Sequence, residues 1–170
     1  MPDFRKDREY MSIVDDIVDS KEFMEIDKIE HHGITRRDHS IKVSYYAYKI
    51  AKTMHLNYRD VARGGLLHDF FLSPEDRTNT QRFISTFTHP KKAAYHADEI
   101  FGINDKEENI IKGHMFPLNI HVPKTSEAWI VNLVDKTVGG YELTKKAKTQ
   151  ISYSANLYTI FFINFIMRFF

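Results

Sequence analysis

The run at residues 64–72, GGLLHDFFL, sets an imidazole and a carboxylate, His68 and Asp69, inside an otherwise apolar stretch. A buried histidine is commonly satisfied by one backbone carbonyl. A buried aspartate is costly unless it is paired or bound to a metal. Whatever fold buries this run must therefore bring partners to it from other parts of the chain.

Few stretches read as strands, while helix-start signals recur. Thr35-x-x-Asp38 and Asn57-x-x-Asp60 are cap-like openings followed by helical periodicity. The first opens a helix with His39, Val43, Tyr46, Ala47, Ile50 and Met54 on one face, and the second runs from Tyr58 to the His-Asp pair. His89-Pro90 reads as a helix start with proline at the first helical position, Ala93, Ala97, Ile100 and Phe101 as its stripe and Gly102 as its end. Asn104-x-x-Glu107 opens a helix carrying Ile110, Ile111 and His114. After a loop bounded by Pro117 and Pro123, Val131, Asp135 and Val138 share a face of a helix that Gly139-Gly140 ends. A helix over residues 8–29 completes an all-α, bundle-like single domain, and the polar stretch 73–88 is expected to be a lid or to carry a short helix.

Composition narrows the function classes. A formal net charge of +1 over 170 residues gives no bulk attraction to nucleic acid or acidic lipid. With no cysteine, disulfides and thiolate chemistry are excluded, and a metal must be held by His, Asp, Glu or water. The N-terminus, MPDFRKDREY, lacks the apolar core of a signal peptide, so a cytoplasmic location is expected. The apolar run at residues 157–170 falls short of the roughly 20 residues of a spanning helix, and Thr159, Asn164 and Arg168 interrupt it. It is expected to pack on the core or against a second copy as a homodimer; a membrane-surface anchor is the weaker alternative, with only one basic residue.

The acids and histidines at helix ends or on apolar faces are His39, His68, Asp69, His89, His114 and Asp135. Neutral imidazoles and carboxylates suit divalent transition metals, and one carboxylate has oxygens for two ions. The order His39, His68-Asp69, Asp135, each on a helix, resembles the HD superfamily of metal-dependent phosphohydrolases over residues 35–142. That resemblance implies an HD helical bundle and a metal bound by His39, His68, Asp69 and Asp135. With His89 in THPKKAAYHADEIFGI and His114 in IIKGHMFPL, the chain is similar to the bacterial HD hydrolases that cleave dinucleoside tetraphosphates symmetrically and carry a two-iron centre. By that resemblance Asp69 bridges, and His89 and His114 hold the second metal; His121, after the HMFPL loop, is a candidate for a further ligand or substrate contact. The chain departs from the family in two places. It has no lysine shortly after His68-Asp69, and Pro90 follows the third histidine where glycine is usual.

The chain then divides into an N-terminal helical segment (1–34), an HD metal-binding domain (35–146) and an apolar C-terminal segment of the same domain (147–170). The resemblance implies two divalent ions, iron or manganese before zinc or magnesium. The expected reaction is hydrolysis of a small-molecule phosphate ester, a nucleotide or dinucleoside polyphosphate, with Asp69 and His68 at the reacting centre. Phosphate binding needs cations. Lys136, beside Asp135, and Lys92, near His89, are the first candidates; Arg77 and Arg82 follow if the polar stretch closes over the site, and Arg36, Arg37 and Lys91 are read as solvated surface. His31, His32, His55 and His96 are read as surface or packing residues. Two other functions use the same ligands: an HD-type di-iron oxygenase, and a nucleotide-sensing domain that keeps metal for structure.

Overall fold

The computed structural model describes residues 3–28, 30–31, 34–71 and 79–166, with side chains described at 3–27, 34–71 and 87–149. α1 (Arg8–Val18) begins where the Asp7 side chain accepts the Tyr10 N–H, and buries Tyr10, Ile13, Val14, Ile17 and Val18 at helical spacing. The single helix expected over 8–29 is instead two. Ser20 accepts the Phe23 N–H on its hydroxyl and restarts the chain as α2 (Lys21–Glu25), which a 3-10 turn at Ile26–Lys28 follows. A short antiparallel pair, β1 (Glu30–His31) with β2 (Ile34–Thr35), leads into the main helices.

α3 (Arg36–Thr53) is capped by Thr35, whose hydroxyl accepts the Asp38 N–H. It ends with His55 in the left-handed region at φ 56°, the Leu56 N–H bonding the Ala51 carbonyl and the His55 N–H that of Lys52. α4 (Tyr58–Leu67) is capped by Asn57 and delivers His68 at its C-cap. α5 (Asn79–Phe101) ends at Gly102, φ 60°. α6 (Asp105–Gly113) carries the full reciprocal cap between Asn104 and Glu107 and delivers His114 at its C-cap. α7 (Ser126–Ile166) closes the bundle.

Three sequence expectations are corrected. The buried face of α3 takes His39, Val43 and Ala47 but leaves Tyr46, Ile50 and Met54 exposed. It runs through Ile41, Ser44, Tyr45, Tyr48 and Ala51 instead, because the two small serines at 40 and 44 are buried where apolar periodicity does not register them. α5 starts at Asn79, ten residues before the expected His89-Pro90 start, and passes through Pro90. Proline removes one N–H and crowds the carbonyl four residues back, which weakens a helix interior without always ending it. The second half of the polar stretch 73–88 is thus helix, and residues 72–78 lie outside the described residues. α7 runs through Gly139-Gly140, since glycine costs a helix only about 1 kcal/mol and neither proline nor a cap follows.

α3 and α4 form the centre of the bundle. A Cβ on Gly65 would lie 3.1 Å from Ser44 Cα, and one on Gly64 would lie 2.9 Å from Ile110 Cγ2, so glycine is what lets α4 sit this close to α3 and α6. One apolar cluster packs α1, α2 and α5 onto α3–α4, and a second packs α6 and α7 onto their other side. The Tyr10 hydroxyl donates to Ser44 Oγ at 2.7 Å, and Ser44 donates to the Ala62 carbonyl at 2.6 Å. Arg63 joins Asp16 of α1 to Glu107 of α6. Among the described residues no helix is long and apolar enough to cross a membrane. The side chains expected to pack at the C-terminus, from 150 onward, lie outside the described residues.

Candidate metal centre

Two helix ends build the site in the same way. His68 ends α4 and donates Nδ1–H to the Gly65 carbonyl at 2.7 Å; His114 ends α6 and donates Nδ1–H to the Ile111 carbonyl at 2.7 Å. A carbonyl can only accept, so each Nδ1 carries the proton and each Nε2 turns inward. His68 is fully buried, and burial pulls its pKa down to about 4, so it is a neutral base at physiological pH. Its Nε2 has no hydrogen-bond partner among the described residues.

Asp69 lies between the two ends. Oδ2 stands 3.8 Å from His68 Nε2, while Oδ1 stands 3.3 Å from His89 Nε2 and 3.5 Å from His114 Nε2. The last two nitrogens are 3.1 Å apart. Burial would raise the Asp69 carboxyl, but His68 and His114 beside it hold it well below the usual carboxylate range. From the other side α3 and α7 supply His39 and Asp135, with His39 Nε2 3.0 Å from Asp135 Oδ1, and that oxygen 3.7 Å from His68 Nε2. Burial also works against charge on His39, yet Asp135 and Glu142 overcome it and raise its pKa to about 9. Asp135 is correspondingly low, about 2, despite its own burial.

All six predicted ligand residues are therefore brought together, in three overlapping groups whose donor atoms lie within 4.8 Å of one another: His39, His68, Asp69; His68, His114, Asp135; and Asp69, His89, His114. Donors sharing one ion at about 2.1 Å stand roughly 3.0–3.4 Å apart in octahedral or tetrahedral arrangements. In the Asp69, His89, His114 triangle two edges, 3.1 and 3.3 Å, fall in that range and the third, 3.5 Å, lies just beyond it. Across the first two groups the His39–Asp135 edge, 3.0 Å, meets it, and the edges from His68 to Asp69 and to Asp135, 3.8 and 3.7 Å, are wider. The buried Nε2 of His68, without a hydrogen-bond partner among the described residues, is what a metal would satisfy.

Two residues that the sequence reading missed support the candidate ligands. Glu142, buried on α7, accepts His39 Nδ1–H at 2.9 Å on one oxygen and the Lys42 ammonium at 2.9 Å on the other. It lies two turns beyond Asp135 on one helix, a spacing hidden when Gly139-Gly140 is read as the helix end. Asn132 gives its amide to the carbonyls of Gly113, His114 and Phe116 and so holds the chain that leaves His114. A cavity of about 740 Å³ between α3 and α7 opens beside Glu142 and is lined by Lys42, Tyr46, Leu133 and Tyr141 among others.

The expected phosphate contacts are more dispersed. Lys136 turns its ammonium onto the His114 carbonyl at 2.9 Å, which puts it next to the site but already engaged. Lys92 is exposed on α5, and His121 is half-exposed in the loop before α7. Burial, then Lys91, Lys112 and Lys124, lower the His121 pKa, which marks a basic neighbourhood. His121 joins none of the described donor groups. Arg77 and the Arg82 side chain lie outside the described residues. Arg36, expected at the surface, is 7% exposed and lies over the Phe71 ring, a correction that its charge alone could not suggest.

The HD domain family matches residues 36–139, more than half of the chain. Neither the curated proteins nor the solved structures offer a match. The HD match and the His/Asp cluster together suggest a metal-dependent phosphohydrolase.

Proposed function

The chain belongs to the HD domain family, and from that premise we propose that it hydrolyses a phosphoric ester or anhydride of a nucleotide or dinucleoside polyphosphate at a site for two divalent ions, iron or manganese. The observation that carries the reading is the division of Asp69: one oxygen faces His68, the other faces His89 and His114. His39, His68, Asp69 and Asp135 would hold one ion; Asp69, His89 and His114 would hold the other. Bound divalent ions supply neutralisation of phosphate charge and a lowered pKa for water. The chain's own part is positioning and electrostatics, the larger share of catalysis in phosphoryl transfer. His68 and His114 present fixed inward nitrogens, and their backbone bonds remove the entropy of choosing a tautomer.

Lys136 and Lys92 carry positive charge at the His114 and His89 ends, Arg77 precedes α5 in the chain, and Arg82 falls in its first turn. We assign these four, with His121, to the phosphate groups of the substrate. His68 and Asp69 stand at the reacting centre as ligands rather than as proton carriers.

The test is metal content by elemental analysis on protein purified without added metal, beside Asp69→Ala, followed by phosphate release from a panel of nucleotides and dinucleoside polyphosphates. Two ions per chain, lost in the variant, with turnover of at least one panel member, is the expected result. A chain that takes up no iron or manganese on reconstitution refutes the proposal. Oxygen uptake without phosphate release would replace hydrolysis with the oxygenase reading.

A further inference from the structure

A guanidinium has no obvious place inside an apolar cluster, yet Arg36 is buried one turn before His39 on α3. It donates Nη1–H to the Phe71 carbonyl at 2.5 Å, and its Cζ lies 4.0 Å from the centroid of the Phe71 ring. The other side of the stack is the site itself. Phe71 and His89 lie nearly parallel, ring centroids 5.2 Å apart at 17°. Phe71 follows Asp69 by two residues and donates its own N–H to the Asp69 carbonyl at 2.9 Å. The stack thus joins the start of α3, the chain leaving the His-Asp pair and the middle of α5, three segments that each carry a ligand.

We propose that Arg36 and Phe71 are positioning residues for His89: the guanidinium pins the Phe71 ring and carbonyl, and the ring sets the plane in which His89 presents Nε2 beside Asp69 Oδ1 and His114 Nε2. This deepens the two-ion reading and rests on it. Phe71 confines one face of the imidazole, and His114 stands at 5.1 Å and 46° on its other neighbour contact. The flat guanidinium adds what an aliphatic side chain of the same volume lacks, a donor to the carbonyl together with a planar cationic surface for the ring. With residue 36 aliphatic, the Phe71 segment loses its hydrogen bond and its cation–π partner together. His89 then samples ring orientations that do not converge on Asp69.

The experiment is Mn(II) titration followed by electron paramagnetic resonance on the full chain, with Arg36→Met, Arg36→Lys and Phe71→Leu. The position held by His39 is identified by its loss in His39→Ala, and the one held by His114 by its loss in His114→Ala. Supporting partners of metal ligands typically affect affinity 10- to 100-fold. Arg36→Met and Phe71→Leu should weaken the His114 position by about that factor and leave the His39 position within about threefold, and Arg36→Lys should recover part of the loss. Equal weakening of both positions, or no change at either in a folded Arg36→Met protein, overturns the proposal. Phe71→Leu keeps the backbone carbonyl and covers the case in which Arg36→Met does not fold.

A metal-free readout separates this inference from the two-ion reading. The Cε1–H resonance of His89, assigned by its absence in His89→Gln, carries the ring-current shift of Phe71. It should move in Phe71→Leu and in Arg36→Met. If wild-type protein binds a single Mn(II), the two-ion reading falls while this resonance still decides the positioning role: movement in Arg36→Met supports it, and an unmoved signal overturns it.

Discussion

Glu142 offers the sharpest perturbation of the site because it hydrogen-bonds His39, one of the residues proposed to hold metal, and is not itself among them. Its carboxylate is almost fully buried and makes two 2.9 Å contacts, one with His39 Nδ1 and one with Lys42 Nζ. Glu142→Ala removes the acceptor of the buried His39 Nδ1–H, a cost of about 1–3 kcal/mol to the folded protein. In a chain of this size each 1 kcal/mol shifts Tm by roughly 2–4 °C. The same change frees the imidazole to rotate and removes the charge that makes it a stronger ligand, for which a 10- to 100-fold loss of metal affinity, about 1.4–2.7 kcal/mol, is typical. Glu142→Gln keeps an oxygen that can still accept the His39 proton and loses only the charge, so its loss should lie near the tenfold end. Lys42→Met is the control: it removes a neighbour of the same cavity but leaves the Glu142–His39 bond, and affinity should hold within about threefold. Isothermal titration with Mn(II) reads all three. If Lys42→Met weakens binding as much as Glu142→Ala, the effect comes from the cavity's packing, and the assignment of Glu142 to His39 is refuted.

Gly65→Ala and Gly140→Ala should move stability in opposite directions. A methyl at 65 meets Ser44 Cα at 3.1 Å, and overpacking of about 1–3 kcal/mol exceeds the ~1 kcal/mol gained in helix propensity; position 140 has nothing within 4 Å and keeps the gain. Urea denaturation checks the signs, and a more stable Gly65→Ala protein contradicts the close approach of α3 and α4. Asp7→Ala should cost about 1 kcal/mol at neutral pH through loss of the α1 cap. Burial raises the Asp7 carboxyl, but the bonds from the Tyr10 N–H and Lys49 outweigh it and hold the pKa low. The contribution is therefore complete above the unfolded value of 3.8 and disappears as pH falls through the lower folded value, so wild type and variant should converge in stability at low pH. Removing metal with a chelator should lower Tm without changing helical content by circular dichroism; loss of helix on chelation contradicts a preformed site.

The parts legible in the sequence are those governed by local chemistry. Thr35, Asn57 and Asn104 cap helices because a side-chain oxygen two or three residues ahead of an N–H needs no tertiary context. The apolar run around His68 and Asp69 announces burial, and burial of an acid announces partners. The misses have equally physical causes. Gly139-Gly140 and Pro90 are weak helix formers, but tertiary packing decides whether a weak former ends a helix, and at both places it does not. A helix that ended at Gly139 would not carry Glu142 on the same element as Asp135. Arg36 was legible only as a charge; the ring that covers it is 35 residues away, and no local pattern pairs them.

The two histidine-bearing helix ends explain why this centre can be preformed. The last turn of any helix leaves carbonyls without intrahelical donors. In α4 and α6 the residue at the C-cap is histidine, and its Nδ1–H returns to the carbonyl three residues back, at 2.7 Å in each case. One bond thereby satisfies an orphan carbonyl, fixes a tautomer and aims a lone pair. The C-cap backbones are nearly the same, φ −57°, ψ −34° at His68 and φ −60°, ψ −30° at His114, so the two imidazoles are placed by one local device used twice. α4 and α6 pack against each other through Gly64 and Ile110, which brings their ends to a common point, and Asp69, the next residue after His68, occupies it. His39 and Asp135 complete the set from α3 and α7, the pair whose cavity side is closed by Glu142. A metal at this position would take the place of the proton between His39 Nε2 and Asp135, while His39 Nδ1–H stays on Glu142.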